Sequence, residues 1–175
     1  ELPYWRGQTA GAVFVHFMLD DWDESVRERH GVKHEHDSIK ELPAGGDAFL
    51  CEAVDEARRV ACPVIAFCHV PLSGSLPPDF VYYERGRDPG LFLSGATLEK
   101  IRTSGTRVLW CSGHVHLSPH HPYAGVRPVA LGLSQAHCPS SRWNVRRALS
   151  DIHAKRYEEC YALILTVDAG KPSFE

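Results

Sequence analysis

Hydrophobic residues in this chain fall into short runs parted by polar stretches rich in glycine and proline, and the period changes from run to run. Ala12 to Leu19 (AVFVHFML) is β-branched and aromatic and stops at Asp20-Asp21, which predicts a buried strand. Val64 to Cys68 opens after Pro63 and ends at His69, and Val108 to Cys111 runs into Ser112-Gly113. Both are continuously apolar, the pattern of parallel strands covered on two faces in α/β proteins. Between the first two runs the period lengthens. Phe49, Leu50, Ala53, Val54 and Ala57 recur at helical spacing, predicting a helix from Ala48 to Val60 with Asp47 as its N-cap. A shorter helix is expected near Thr97 to Thr103, and Val126 to Leu133 and Tyr161 to Val167 read as further strands, separated by a helix or loop from Ser141 to Glu159.

The remaining segments lack a sustained period. Glu1 to Ala10 reads as irregular, broken by Pro3 and Gly7. Trp22 to Gly45 reads as a charged surface excursion carrying His30, His34 and His36, best explained as solvated. Pro71 to Gly95 reads as a long loop bearing Phe80, Tyr82, Tyr83, Glu84, Arg85 and Arg87, and loops of that length usually serve a function or move. No repeat or linker divides the chain, so residues 1–175 are read as one region.

Composition narrows the functional classes. With 43% apolar and 23% charged residues in 175, there is material for a core. A formal net charge of -3 offers no basic surface for nucleic acid, and no apolar run reaches the ~20 residues of a membrane span, so neither partner is expected. The single methionine is Met18, which leads to the expectation that the chain was processed or cut from something longer. Six cysteines without a Cys-x-x-Cys pair argue against a zinc ribbon; reduced, buried thiols and a cytoplasmic setting are expected.

The chemistry lies in a recurrence. A predicted helix leads to strand 64–68 and His69; a second leads to strand 108–111 and then His114 and His116. Successive crossovers of one hand keep such strands parallel, so these histidines are expected at one edge of the sheet, where open α/β sheets bind ligands. In extended backbone residues i and i+2 point the same way, so His114 and His116 are expected side by side. Converging imidazoles suit zinc, manganese or iron.

These residues also carry a resemblance. Phe67-Cys68-His69-Val70-Pro71-Leu72 and Cys111-Ser112-Gly113-His114-Val115-His116 resemble the fourth and fifth sequence blocks of the calcineurin-like metallophosphoesterases. The resemblance implies an α/β fold: a portion of a β-sandwich of mixed sheets flanked by helices, equivalent to the C-terminal part of that family's domain. It further implies two divalent metal ions, hydrolysis of a phosphomonoester or phosphodiester by metal-bound hydroxide, His69 and His114 on one ion, and His116 on the other. Paired ions stabilise both the attacking and the leaving oxygen in such sites.

The family's earlier blocks, Asp-x-His, Gly-Asp with a bridging aspartate and Gly-Asn-His, have no counterpart ahead of these two. Gly46-Asp47 has matching letters but is better explained as a helix cap. The segment is therefore expected to be inactive alone, its missing ligands supplied by an absent N-terminal half. A half-domain exposes a strand edge, so self-association, or a partner strand beside Ala12 to Leu19, is expected. Two other classes fit the residues: a catalytically silent binding or regulatory module on the same fold, and a plain histidine metal-binding protein. Asp20 and Asp21 near the site, and Tyr82, Tyr83 and Arg85 on a substrate, are further candidates weighed against ordinary strand-end and loop-tip roles.

Overall fold

The structure, a computed structural model, describes residues 4–9, 11–18, 41–76, 90–113, 122–123 and 125–138. A hairpin opens it: β1 (Tyr4–Gln8) lies antiparallel to β2 (Val13–Phe17), with Arg6 opposite Val15. The chain then builds outward from β2 by crossovers. Helix α1 (Gly46–Arg59) leads to β3 (Val64–Cys68), parallel to β2, and α2 (Gly95–Ser104) leads to β4 (Val108–Ser112), parallel to β3. A second hairpin, β5 (Gly125–Ala130) and β6 (Leu133–His137), lays β6 parallel to β4 and leaves β5 antiparallel at the border. The result is an α/β arrangement whose six-stranded mixed sheet has the order β1-β2-β3-β4-β6-β5.

The apolar strands are explained by cover on both faces. On one face Val13, Val15, Phe17, Val64, Ala66, Cys68, Val108, Trp110 and Leu133 pack against Leu50, Ala53, Val54 and Ala57 of α1 and Ile101 of α2. The other face buries Ala12, Ile65, Leu109, Cys111 and Ala136, with Phe14 and Val126 packed against them. Each fully buried valine, leucine or isoleucine contributes about 1.5–3 kcal/mol, so this double layer is the main source of stability. The helical face of α1 is the one its spacing predicts.

Several expectations need correction. Residues 4–8, expected to be irregular, form a strand because their alternate side chains have partners on α1. Tyr4 packs on Phe49, and Arg6 lies 5.2 Å over the Phe49 ring and pairs with Glu52 and Glu56. That strand covers the outer edge of β2, so the partner strand expected beside Ala12 to Leu19 is supplied by this chain itself. The single strand expected over Val126 to Leu133 is a hairpin turning at Leu131-Gly132, where Gly132 has φ 81.

Asp47 is not the N-cap of α1. Gly45 holds that position in the left-handed region, with φ 83. Two residues past it, within the first turn, the Asp47 carboxylate accepts from the Ser94 N–H at 3.2 Å and from the Thr97 hydroxyl, while Ser94 caps α2 by accepting from the Thr97 N–H at 3.1 Å. Asp47 thus ties the first turns of the two helices together. The expected strand 161–167, the segment 141–159 and most of the two long loops lie outside the described residues. No described helix is long and apolar enough to cross a membrane.

Candidate functional site

Because β2, β3, β4 and β6 are mutually parallel, their C-terminal ends share one edge of the sheet. His69 stands there, exposed, directly after β3. Its carbonyl accepts the N–H of Gly113 at 3.2 Å, and Gly113 is the residue just before His114. The chain therefore arrives at His114 from a point bonded to the backbone of His69. His114 and His116 themselves lie outside the described residues, as do His30, His34, His36, Asp20, Asp21, Tyr82, Tyr83 and Arg85. Among the described residues, no three His, Cys, Asp or Glu side chains are grouped to hold a metal ion.

The segment after His69 folds back over the ends of β4 and β6 and is fastened to them by buried polar side chains. Trp110 of β4 donates its indole N–H to the Val70 carbonyl at 3.0 Å. Gln135 of β6, paired in register with Trp110, accepts the Leu72 N–H at 3.0 Å through Oε1. The same side chain donates through Nε2 to the Ser112 hydroxyl at 2.8 Å and to the Ala136 carbonyl at 3.0 Å. His137 places Nε2 3.3 Å from the Ser75 carbonyl, and the Ser75 hydroxyl closes a turn onto the Leu72 carbonyl at 2.6 Å. Gln135 and His137 are both 0% exposed. Buried amides and imidazoles persist in an apolar layer when bonded in this way.

The far side of the segment is fixed by backbone. Ser73 N–H donates to the Leu91 carbonyl at 2.8 Å and Leu91 N–H to the Pro71 carbonyl at 2.8 Å. The approach is close enough that a Cβ on Gly90 would lie 2.4 Å from the Ser73 Cα. Residue 90 has to be glycine for the two strands of chain to meet.

Thiols border this edge without the character of ligands or nucleophiles. Burial, with a smaller contribution from the Cys138 charge, pushes the Cys111 thiol up to about 12, and burial raises Cys138 as well. Both are protonated at neutral pH, and the thiolate is the reactive and metal-binding form. Cys68 and Cys111 are buried, as expected of thiols in apolar strands, while Cys138 is exposed.

Of the three histidines expected to hold a divalent ion, His69 alone lies among the described residues. It is an exposed imidazole at the end of β3, beside the strand that leads in sequence to His114 and His116. Pattern reasoning missed Gln135, His137 and Ser75, because Leu133 to His137 (LSQAH) carries too few apolar residues to read as a buried strand. The sequence matches no family model and no curated protein.

Proposed function

We propose that the chain bears the histidine ligands of a metal-dependent phosphoesterase of the calcineurin-like type, hydrolysing a small phosphomonoester or phosphodiester in the cytoplasm. In this reading His69 and His114 hold one divalent ion and His116 the other. Carboxylate ligands and an acid histidine come from a segment outside these residues, so the chain alone binds metal without turning over substrate. The ions would supply charge stabilisation for the transferring phosphoryl group and acidify a water. The chain's own share is to hold three neutral imidazoles at fixed positions, which requires deprotonated nitrogen and a rigid backbone behind it. The supporting observation is the bond between Gly113 and His69, which joins the two histidine-bearing strand ends.

The test is a titration of the full chain with Co2+, followed by visible absorption, alongside His69→Ala, His114→Ala and His116→Ala. The expected result is a d–d spectrum from nitrogen ligands that weakens in each variant. Adding the remainder of the domain should then give Mn2+-dependent cleavage of bis-p-nitrophenyl phosphate. A wild-type chain that binds no Co2+, Mn2+ or Zn2+ overturns the reading.

A further inference from the structure

We infer that the open edge of β1 is a self-pairing surface: a second copy of this chain adds its own β1 antiparallel to the first, with the two-fold axis at Arg6. The inference is independent of the metal-site reading. Among the described residues β1 and β5 are the two margins of the sheet, and they differ. β5 carries Pro128 and a slip in register, whereas β1 pairs with β2 without a break from Tyr4–Phe17 to Gln8–Val13 and contains no proline. Its one charged side chain, Arg6, is committed to α1: the guanidinium lies over Phe49 and pairs with Glu52 at 3.4 Å and Glu56 at 3.2 Å. The devices that ordinarily guard a strand edge are absent from this one.

Which groups face outward follows from the hairpin. Thr9 donates its N–H to the Ala12 carbonyl at 3.0 Å, and bonded pairs alternate with unbonded ones along an antiparallel ladder. Gly7 and Trp5 therefore bond to β2, while Tyr4, Arg6 and Gln8 turn N–H and carbonyl to the open side. Val13, opposite Gln8, agrees: its N–H goes the other way, to the Pro63 carbonyl at 3.0 Å. Three outward residues at every second position are symmetric about the middle one. In an antiparallel pair Arg6 meets Arg6 of the second copy and Tyr4 meets Gln8, so every outward N–H finds a carbonyl. Between them Trp5 faces Gly7 of the second copy in unbonded pairs, where Cα atoms approach to ~4.5 Å. Each indole already lies over the glycine of its own strand, where a Cβ would stand 2.4 Å from Trp5 Cη2. Across the axis the two indoles thus run side by side, and the contact covers a tryptophan that is 59% exposed in the single copy. Both Arg6 charges stay with their own glutamates, so the axis does not bring bare cations together. One strand a side buries less than the ~800 Å2 per partner of a stable complex, so the dimer is reversible and forms at micromolar concentrations or above.

The experiment is sedimentation velocity on the full chain from about 1 to about 300 μM, with hydrogen exchange of the β1 amides at both ends of that range. A dimer should form, and the Tyr4, Arg6 and Gln8 amides should gain protection with concentration while those of Trp5 and Gly7, bonded to β2 throughout, stay unchanged. Gln8→Pro removes an outward donor without touching a bond to β2, and Trp5→Lys puts a charge on the edge. Each, shown to be folded by a thermal melt, should dissociate at least about 10-fold more readily. Leu131→Ser, at the exposed hairpin tip of the other margin, should dimerise as the wild type does. The inference is overturned by a chain that stays monomeric across the range, by a dimer whose Tyr4, Arg6 and Gln8 amides exchange as in the monomer, or by wild-type association in both folded edge variants.

Discussion

Gly113 gives its N–H to the carbonyl of His69 across 3.2 Å, tying together the residues that directly follow β4 and β3. This is the bond by which two separate apolar strands, each trailing a histidine, become a single edge. Around it the fold supplies little charge and much rigidity, and the predictions follow from how that rigidity is made.

Gly90 stands where a Cβ would come within 2.4 Å of Ser73 Cα and 2.5 Å of its nitrogen. Those atoms are backbone, held by the Ser73–Leu91 bond, and they have nowhere to shift. Gly90→Ala should lose about 1–3 kcal/mol, the range for overpacking a tight contact. A urea midpoint equal to that of the wild type would contradict it.

Trp110→Phe removes the donor to the Val70 carbonyl and part of an indole stacked on Phe17 at 5.5 Å between centroids. A buried carbonyl left unbonded costs about 1–3 kcal/mol, before any cavity. Unfolding by urea should show at least that loss, with an unchanged m-value.

Asp47→Ala removes an acceptor for Ser94 N–H and the Thr97 hydroxyl, so α1 and α2 lose the link between their first turns. The expected loss is about 1 kcal/mol, as for capping interactions. Asp47→Asn, which retains an acceptor oxygen, should recover most of it in the same thermal melts.

Cys111 gives a pH dependence with a definite sign. Its thiol is pushed up to about 12 in the fold from an ordinary 9.0, so below pH 9 it is neutral in both states and its contribution is intact. Above pH 9 the unfolded chain ionises while the folded one does not, and stability falls by up to about 1.4 kcal/mol per pH unit. Urea midpoints at pH 8 and pH 10 should diverge in the wild type and diverge less in Cys111→Ala, where burial still raises the Cys138 thiol. A parallel drop in both proteins would assign the effect to other groups.

The parts of this fold that were legible in the chain are those where one residue's surroundings are all apolar. Strand 64–68 and helix 46–59 stand within a residue or two of their predicted limits because Val64 to Cys68 and the Leu50, Ala53, Val54, Ala57 stripe need cover and nothing else. The parts that escaped depend on distant partners. Tyr4–Gln8 is a strand because Phe49, Glu52 and Glu56, more than forty residues on, receive Tyr4 and Arg6. Leu133–His137 is a strand although its polar residues would ordinarily face water, because Leu72 and Ser75 provide their hydrogen bonds. Of the proposed ligands, the position of His69 at the edge was legible from the alternation of helix and strand. The polar fastening beneath it was not, since no local period marks a glutamine that bonds a loop sixty-three residues earlier.

Among the described residues β5 is a border strand, and this carries a consequence of its own. β5 includes Pro128, which has no N–H to offer, and its register slips between Pro128 and Ala130. A neighbouring molecule seeking to add a strand there would meet an interrupted row of donors, so this margin resists fibre growth and edge-on clumping. Replacing Pro128 with valine would restore the row and with it the tendency to aggregate.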